Sequence, residues 1–126
     1  MREVVIAETD TEAWKLSVGG MMEEYFLRLL ANFGFKDYLN HEPNVADSHV
    51  TVTHCARHNW IVGSSATAAG KLEKIYYQVG GFGTLLGFGF DSSKKPQTWQ
   101  NALQSPAQEV LPRLKHLSLA VTRAAS

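Results

Sequence analysis

Gly80-Gly81 is the feature that most limits how this chain can fold. A glycine pair reaches positive φ without steric penalty, so two residues there suffice to reverse the chain. Ile75, Tyr76, Tyr77 and Val79 precede it, and all suit a pleated surface. Residues 84–90 follow as the return strand. With Gly80-Gly81 as the loop, Val79 faces Phe82, Tyr77 faces Thr84 and Ile75 faces Leu86. With a loop from Gly80 to Gly83, Val79 faces Thr84, Tyr77 faces Leu86 and Ile75 faces Phe88. Either register groups Ile75, Tyr77, Val79, Leu86, Phe88 and Phe90 on one apolar face, because strand side chains alternate with period two. Lys74, Tyr76, Gln78, Gly83, Leu85, Gly87 and Gly89 share the other face. The glycines leave its return strand nearly bare. Glycines repeated within a strand mark a bend, a bulge or the close approach of another molecule.

The remaining elements are arranged around this hairpin. Residues 3–8 are β-branched and predict a strand. Thr9 to Thr11 can cap a helix with Glu12 in its first turn. Met22, Phe26, Leu29, Leu30 and Phe33 recur at helical spacing over residues 21–33, and Gly34 closes that helix. Residues 36–48 read as a loop around Pro43. Val50, Thr51, Val52 and Thr53 predict a strand over 49–56, returning at 60–65 through a three-residue turn at Arg57-His58-Asn59. Ser64 to Gly70 reads as a loop. Ser105-Pro106-Ala107-Gln108 predicts a helix start, with Val110, Leu111, Leu114, Leu117 and Val121 on its apolar face and Pro112 as a kink. Gln97 to Leu103 is a shorter helical candidate.

The predicted architecture is α+β, a single domain over residues 1–126. Strands 49–56, 60–65, 72–79 and 84–90 form an antiparallel meander, with the strand at 3–8 on its edge. Helices at 21–33 and 106–122 cover one face of the sheet. The 126 residues, 44% of them hydrophobic, suffice for a proper core.

Charge removes several functions. Twelve basic and twelve acidic residues cancel, so the electrostatic footprint of a nucleic-acid binder is missing. Acids stand where a signal peptide has an apolar run, and no apolar segment approaches the length of a membrane span. The single cysteine, Cys55, rules out an internal disulfide framework and suits a reducing compartment. The expected location is cytoplasmic.

Three patterns suggest chemistry without completing it. His54 and His58 are four residues apart, a metal-binding spacing on a helix. On the predicted strand they do not converge with His49 and Cys55, so no metal site is expected. Gly63 to Lys71 has the wrong glycine spacing for a Walker A loop, and Leu72 replaces its Ser or Thr. Gln78 to Gly83 matches the Q-x-x-G-x-G pattern of acyl-CoA acetyltransferases, but strand-like residues follow where that family has a helix, so no family is assigned.

The functional expectation is a non-enzymatic binding protein with no cofactor. Its outer sheet face, Tyr76, Gln78, Leu85, Gly87 and Gly89, would meet a protein partner or a second copy of the chain, with no role for nucleic acid or membrane. The alternative is a small enzyme or ligand-binding domain. Its pocket would use His49, Cys55, Arg57 and Lys71 beside the Ser64 to Lys71 loop.

Overall fold

A computed structural model describes residues 2–88, 97, 100 and 104–117. The chain opens on strand β1 (Arg2–Ala7) and turns directly into helix α1 (Asp10–Ser17). Thr9 caps α1, its hydroxyl accepting the Glu12 N–H at 3.2 Å. Asp10 and Glu12 place negative charge at the positive end of the helix. Helix α2 (Met21–Tyr25) widens through a π turn (Phe26–Leu30) and ends as α3 (Ala31–Phe33). Gly34 terminates it at φ +69°, a conformation that favours glycine. A short helix α4 (Lys36–Leu39) and a 3₁₀ turn (Asp47–His49) lead to α5 (Val52–His58). Strand β2 (Ile61–Ser64) passes without a loop into α6 (Ser65–Gln78). Strand β3 (Gly87–Phe88) follows, and the C-terminal helical segment contains a π turn (Pro106–Val110) and α7 (Leu111–Arg113).

The strands form a three-stranded parallel sheet in the order β2-β1-β3. Val4 to Ala7 pair with Ile61 to Ser64, and Arg2 and Glu3 pair with Gly87 and Phe88. β1 is therefore central rather than an edge. Its side chains alternate between two cores. On one side Val5, Ala7 and Val62 pack with Ala13, Met22, Phe26, Val52, Cys55 and Trp60. On the other Ile6 and Ile61 pack with Ala68, Ala69, Leu72 and Val110. This is a layered α/β arrangement with helices on both faces of a parallel sheet.

The predicted antiparallel meander is not formed. Residues 72–79 are not a strand: they belong to α6 and its C-terminal cap. Ser65, Ala68, Ala69, Leu72 and Tyr76 are the buried residues of α6, at helical spacing against the sheet. That packing overrides the strand preference of Ile75, Tyr76 and Tyr77. The face assigned to the core is turned out, with Tyr77, Val79 and Leu86 at 63%, 62% and 64% exposure. Tyr76, assigned to the outer face, is buried and donates its hydroxyl to the Leu117 carbonyl at 3.3 Å. Gly80 and Gly81 do adopt positive φ, but they end a helix instead of reversing a hairpin.

Residues 49–56 are also not a strand. Thr51 caps α5 by accepting the His54 N–H, and Val52, Cys55 and Ala56 face the core at helical spacing. The return predicted at 60–65 does hold a strand, but it pairs in parallel with β1. Ser105 lies in right-handed helical backbone and makes no side-chain cap. Leu111 reaches back to the Pro106 carbonyl, five residues away, in the widened turn before Pro112. A proline cannot donate to the ladder and crowds the preceding turn, which explains the widening. Gln97 and Gln100 are helical, whereas Trp99, Ala102, Leu103, Gly89, Phe90 and residues 118–122 lie outside the described set.

Candidate functional site

β1 and β2 run parallel, so both deliver their carboxyl ends to the same edge of the sheet. Ligands of open parallel sheets bind beyond that edge. A crevice of about 600 Å³ lies there. Ala7, Glu8, Ser64, Ser65 and Ala66 line it from the strand ends and the start of α6. Gln104, Ser105, Gln108, Glu109 and Arg113 form the opposite wall.

Asp10 holds the two strand-end turns together. Its Oδ1 accepts the Ser64 backbone N–H at 2.6 Å, and its Oδ2 accepts the Thr67 hydroxyl at 3.0 Å. Ser64 in turn caps α6, its hydroxyl accepting the Thr67 N–H at 3.4 Å. The Ser64 amide bond, then the Thr67 and Ser64 hydroxyls, hold the Asp10 carboxyl below the usual carboxylate range. Lys71 contributes a weaker pull in the same direction. The amides of Ser65 and Ala66, in the first turn of α6, precede any intrahelical acceptor and sit at the positive end of the helix.

The sign of the Asp10 effect sets a pH window. A carboxylate with a lowered folded-state pKa stabilises the fold above its unfolded pKa, and that stability is lost as pH falls through the folded value. Asp10→Asn retains an acceptor for Ser64 but loses the charge. We expect the wild type to exceed this variant by about 1 kcal/mol at pH 7, a figure reduced for the solvent exposure of Asp10. Urea unfolding should show the gap closing as pH falls through and below the ordinary carboxylate range. A gap independent of pH over that range would assign the effect to shape rather than charge.

The residues expected from sequence do not gather at this crevice. Of the outer-face set, Tyr76 is buried, Gln78 is exposed near the end of α6, and Leu85 packs partly against the α6 core. Gly87 pairs with Arg2 in the sheet, and Gly89 lies outside the described residues. Of the alternative pocket, His49 is exposed in the 3₁₀ turn and Arg57 is exposed on α5. Cys55 is fully buried, and burial pushes its thiol up to about 11 despite the Asn59 side chain at 3.7 Å. Thiolate is therefore scarce at neutral pH, which removes Cys55 as a nucleophile. Lys71 donates to the carbonyls of Ala56, Trp60 and Val62 at 3.5, 3.5 and 3.3 Å, tying the end of α5 to β2. Burial lowers its pKa, partly offset by Asp10. None of these four lines the crevice, although Ser64, Ser65 and Ala66 of the predicted Ser64 to Lys71 loop do, within β2 and α6.

Sequence reading missed Asp10, Gln108 and Arg113. The available signal was Ser64-x-x-Thr67 directly after an apolar strand, a helix start of the kind that opens a strand-to-helix turn.

The chain is 31% identical over 120 residues to 2,5-diketocamphane 1,2-monooxygenase 2 of Pseudomonas putida, covering 90% of this chain and 33% of that protein. It is 29% identical over 120 residues to 2,5-diketocamphane 1,2-monooxygenase 1 of the same organism, with the same coverage of each. Its fold matches the oxygenating constituent of 3,6-diketocamphane monooxygenase from Pseudomonas putida, a type II Baeyer-Villiger monooxygenase solved in complex with FMN. That match has a TM-score of 0.78 at 26% identity, over 88% of this chain and 32% of that one. The chain thus spans about a third of the length of the relatives it matches. No family model matches it. These relatives are enzymes, and they overturn the expectation of a non-enzymatic interaction protein built on an antiparallel sheet. Among the described residues, no helix is long and apolar enough to cross a membrane.

Proposed function

We propose that this chain is part of a flavin-dependent monooxygenase, and that its carboxyl-end crevice takes the phosphate end of FMN. The observation that carries this reading is a conjunction. The fold neighbour holds FMN, and the crevice here combines the first turn of α6 with the Arg113 side chain. Helix N-termini bind phosphate because their free amides and dipole both favour an anion. Arginine adds planar, charged donors suited to phosphate oxygens.

The lining fits one part of the cofactor better than another. Ala7 and Ala66 are its apolar side chains, while serine, glutamine, glutamate and arginine supply the rest. Such a surface suits phosphate and hydroxyl groups and offers little to a flat apolar ring. Ser65 and Ala66 would donate amides to the phosphate, and Arg113 would balance its charge. Glu8 and Glu109 also line the crevice and would repel the anion, so it would sit against the Ser65 and Ala66 amides and Arg113. FMN, when bound, supplies the redox chemistry.

FMN titration followed by equilibrium dialysis tests this reading. Ala66 is exposed, and Ala66→Asp adds a carboxylate in the first turn, which suits the helix but repels a phosphate. We expect that variant to bind FMN about tenfold more weakly while unfolding at an unchanged or higher temperature. Arg113→Gln should weaken binding in the same direction, and riboflavin, lacking the phosphate, should bind less well than FMN. Equal affinity for riboflavin and FMN, or indifference to Ala66→Asp, would remove the proposal.

A further inference from the structure

Three imidazoles gather away from the crevice lining. The His41 and His58 rings stack with centroids 4.9 Å apart and planes 11° from parallel. The His54 and His58 rings lie 4.8 Å apart at 49°. The His41 backbone N–H donates to His54 Nε2 at 3.4 Å. Residues 52–58 are helical, so His54 and His58 lie on one face, one turn apart. The strand assignment that kept them apart in the sequence does not hold.

We propose that His54 and His58 chelate a borderline divalent transition metal ion, Zn²⁺, Ni²⁺ or Cu²⁺, across one turn of α5. Imidazole nitrogen suits these ions, and a pair of histidines at this spacing on a helix is a metal-binding arrangement. Solvent completes the coordination. Among the described residues, no group of three or more His, Cys, Asp or Glu side chains is placed to hold a metal ion. The site is therefore a two-imidazole chelate rather than a closed four-ligand zinc centre.

Arg57 and Glu42 both act electrostatically on His58. Arg57 repels an incoming cation, and Glu42 attracts it. Displacing the 3.4 Å bond from His41 to His54 gives up little, since that bond is long. Hard ions such as Mg²⁺ prefer oxygen donors and should not compete. The clip would also stabilise α5 as a helix, where Val52 and Thr53 have only modest helix preference.

Calorimetric titration of the untagged, metal-stripped chain in a non-coordinating buffer tests this inference. One equivalent of metal should bind, Cu²⁺ more tightly than Ni²⁺ or Zn²⁺, with Mg²⁺ silent. His54→Gln and His58→Gln should each weaken Zn²⁺ binding about tenfold or more, while circular dichroism shows the fold retained. His49→Gln should leave binding unchanged. So should His116→Gln, which removes the imidazole that meets Glu73 at 2.8 Å. Zn²⁺ should raise the unfolding temperature of the wild type but not of either α5 variant. Binding that survives both α5 substitutions, binding lost with His116→Gln, or no binding of any of the three ions would overturn the proposal.

Discussion

Gly63→Ala should destabilise the chain by about 3 kcal/mol, combining backbone strain with overpacking. Gly63 adopts φ +155° inside β2, where an L side chain is strained. An added Cβ would come within 2.6 Å of Thr67 Cγ2, 2.8 Å of Thr67 Cβ and 2.9 Å of Asp10 Oδ1. Thr67 and Asp10 cannot withdraw freely, because they are bonded to each other and to Ser64. The methyl group would force apart the junction that aims the start of α6 at the crevice. Gly70 provides the contrast. It lies in α6, and a methyl group added there would meet nothing within 4 Å. Gly70→Ala should stabilise by about 0.5–1 kcal/mol through helix propensity alone. Urea unfolding of both variants reads the two signs directly. Equal effects would mean that Gly63 is not closely surrounded.

Trp60→Ala should cost about 4 kcal/mol, within the range for truncating a buried aromatic residue. Trp60 is 2% exposed, meets Phe26 edge-on with centroids 6.4 Å apart, and belongs to the core between the sheet and the helices α1, α2 and α5. Loss of that much stability should lower the unfolding temperature by roughly 15 °C for a domain of this size. Phe33→Ala gives the control. Phe33 is 66% exposed and stacks on Phe35 at 6.1 Å, so its truncation should cost no more than about 1 kcal/mol. A shift of similar size for the two variants would contradict the core described here.

The parts of the fold legible in the sequence are those set by local chemistry. Thr9 with Glu12, the apolar spacing of Met22 and Phe26, and Gly34 each act within a few residues, and the helices they predict are present. The strands near residues 3–8 and 60–65 are legible for the same reason: short β-branched or apolar runs. Pairing is not legible, because the partner of each strand is set by tertiary packing. Strand preference at Tyr76-Tyr77 and at Val50 to Thr53 misleads where burial at helical spacing prevails. Ser65, Ala68, Ala69, Leu72 and Tyr76 carry that spacing, but small residues make a weak apolar signal. The crevice inherits the same division. Ser64 stands within a segment conspicuous for its small residues, whereas Asp10 and Arg113 reach the site only because distant elements converge.

If the parallel sheet delivers the start of α6 to a crevice that receives an anion, FMN should perturb that first turn before anything else. Two-dimensional amide spectra recorded while FMN is added test this most directly. Saturable shifts should be largest at Ser65 and Ala66, weaker with riboflavin, and absent at the exposed aromatic residues Phe33, Phe35 and Tyr38. Shifts centred on those aromatics, or unmoved amides at Ser65 and Ala66 under saturating FMN, would contradict it.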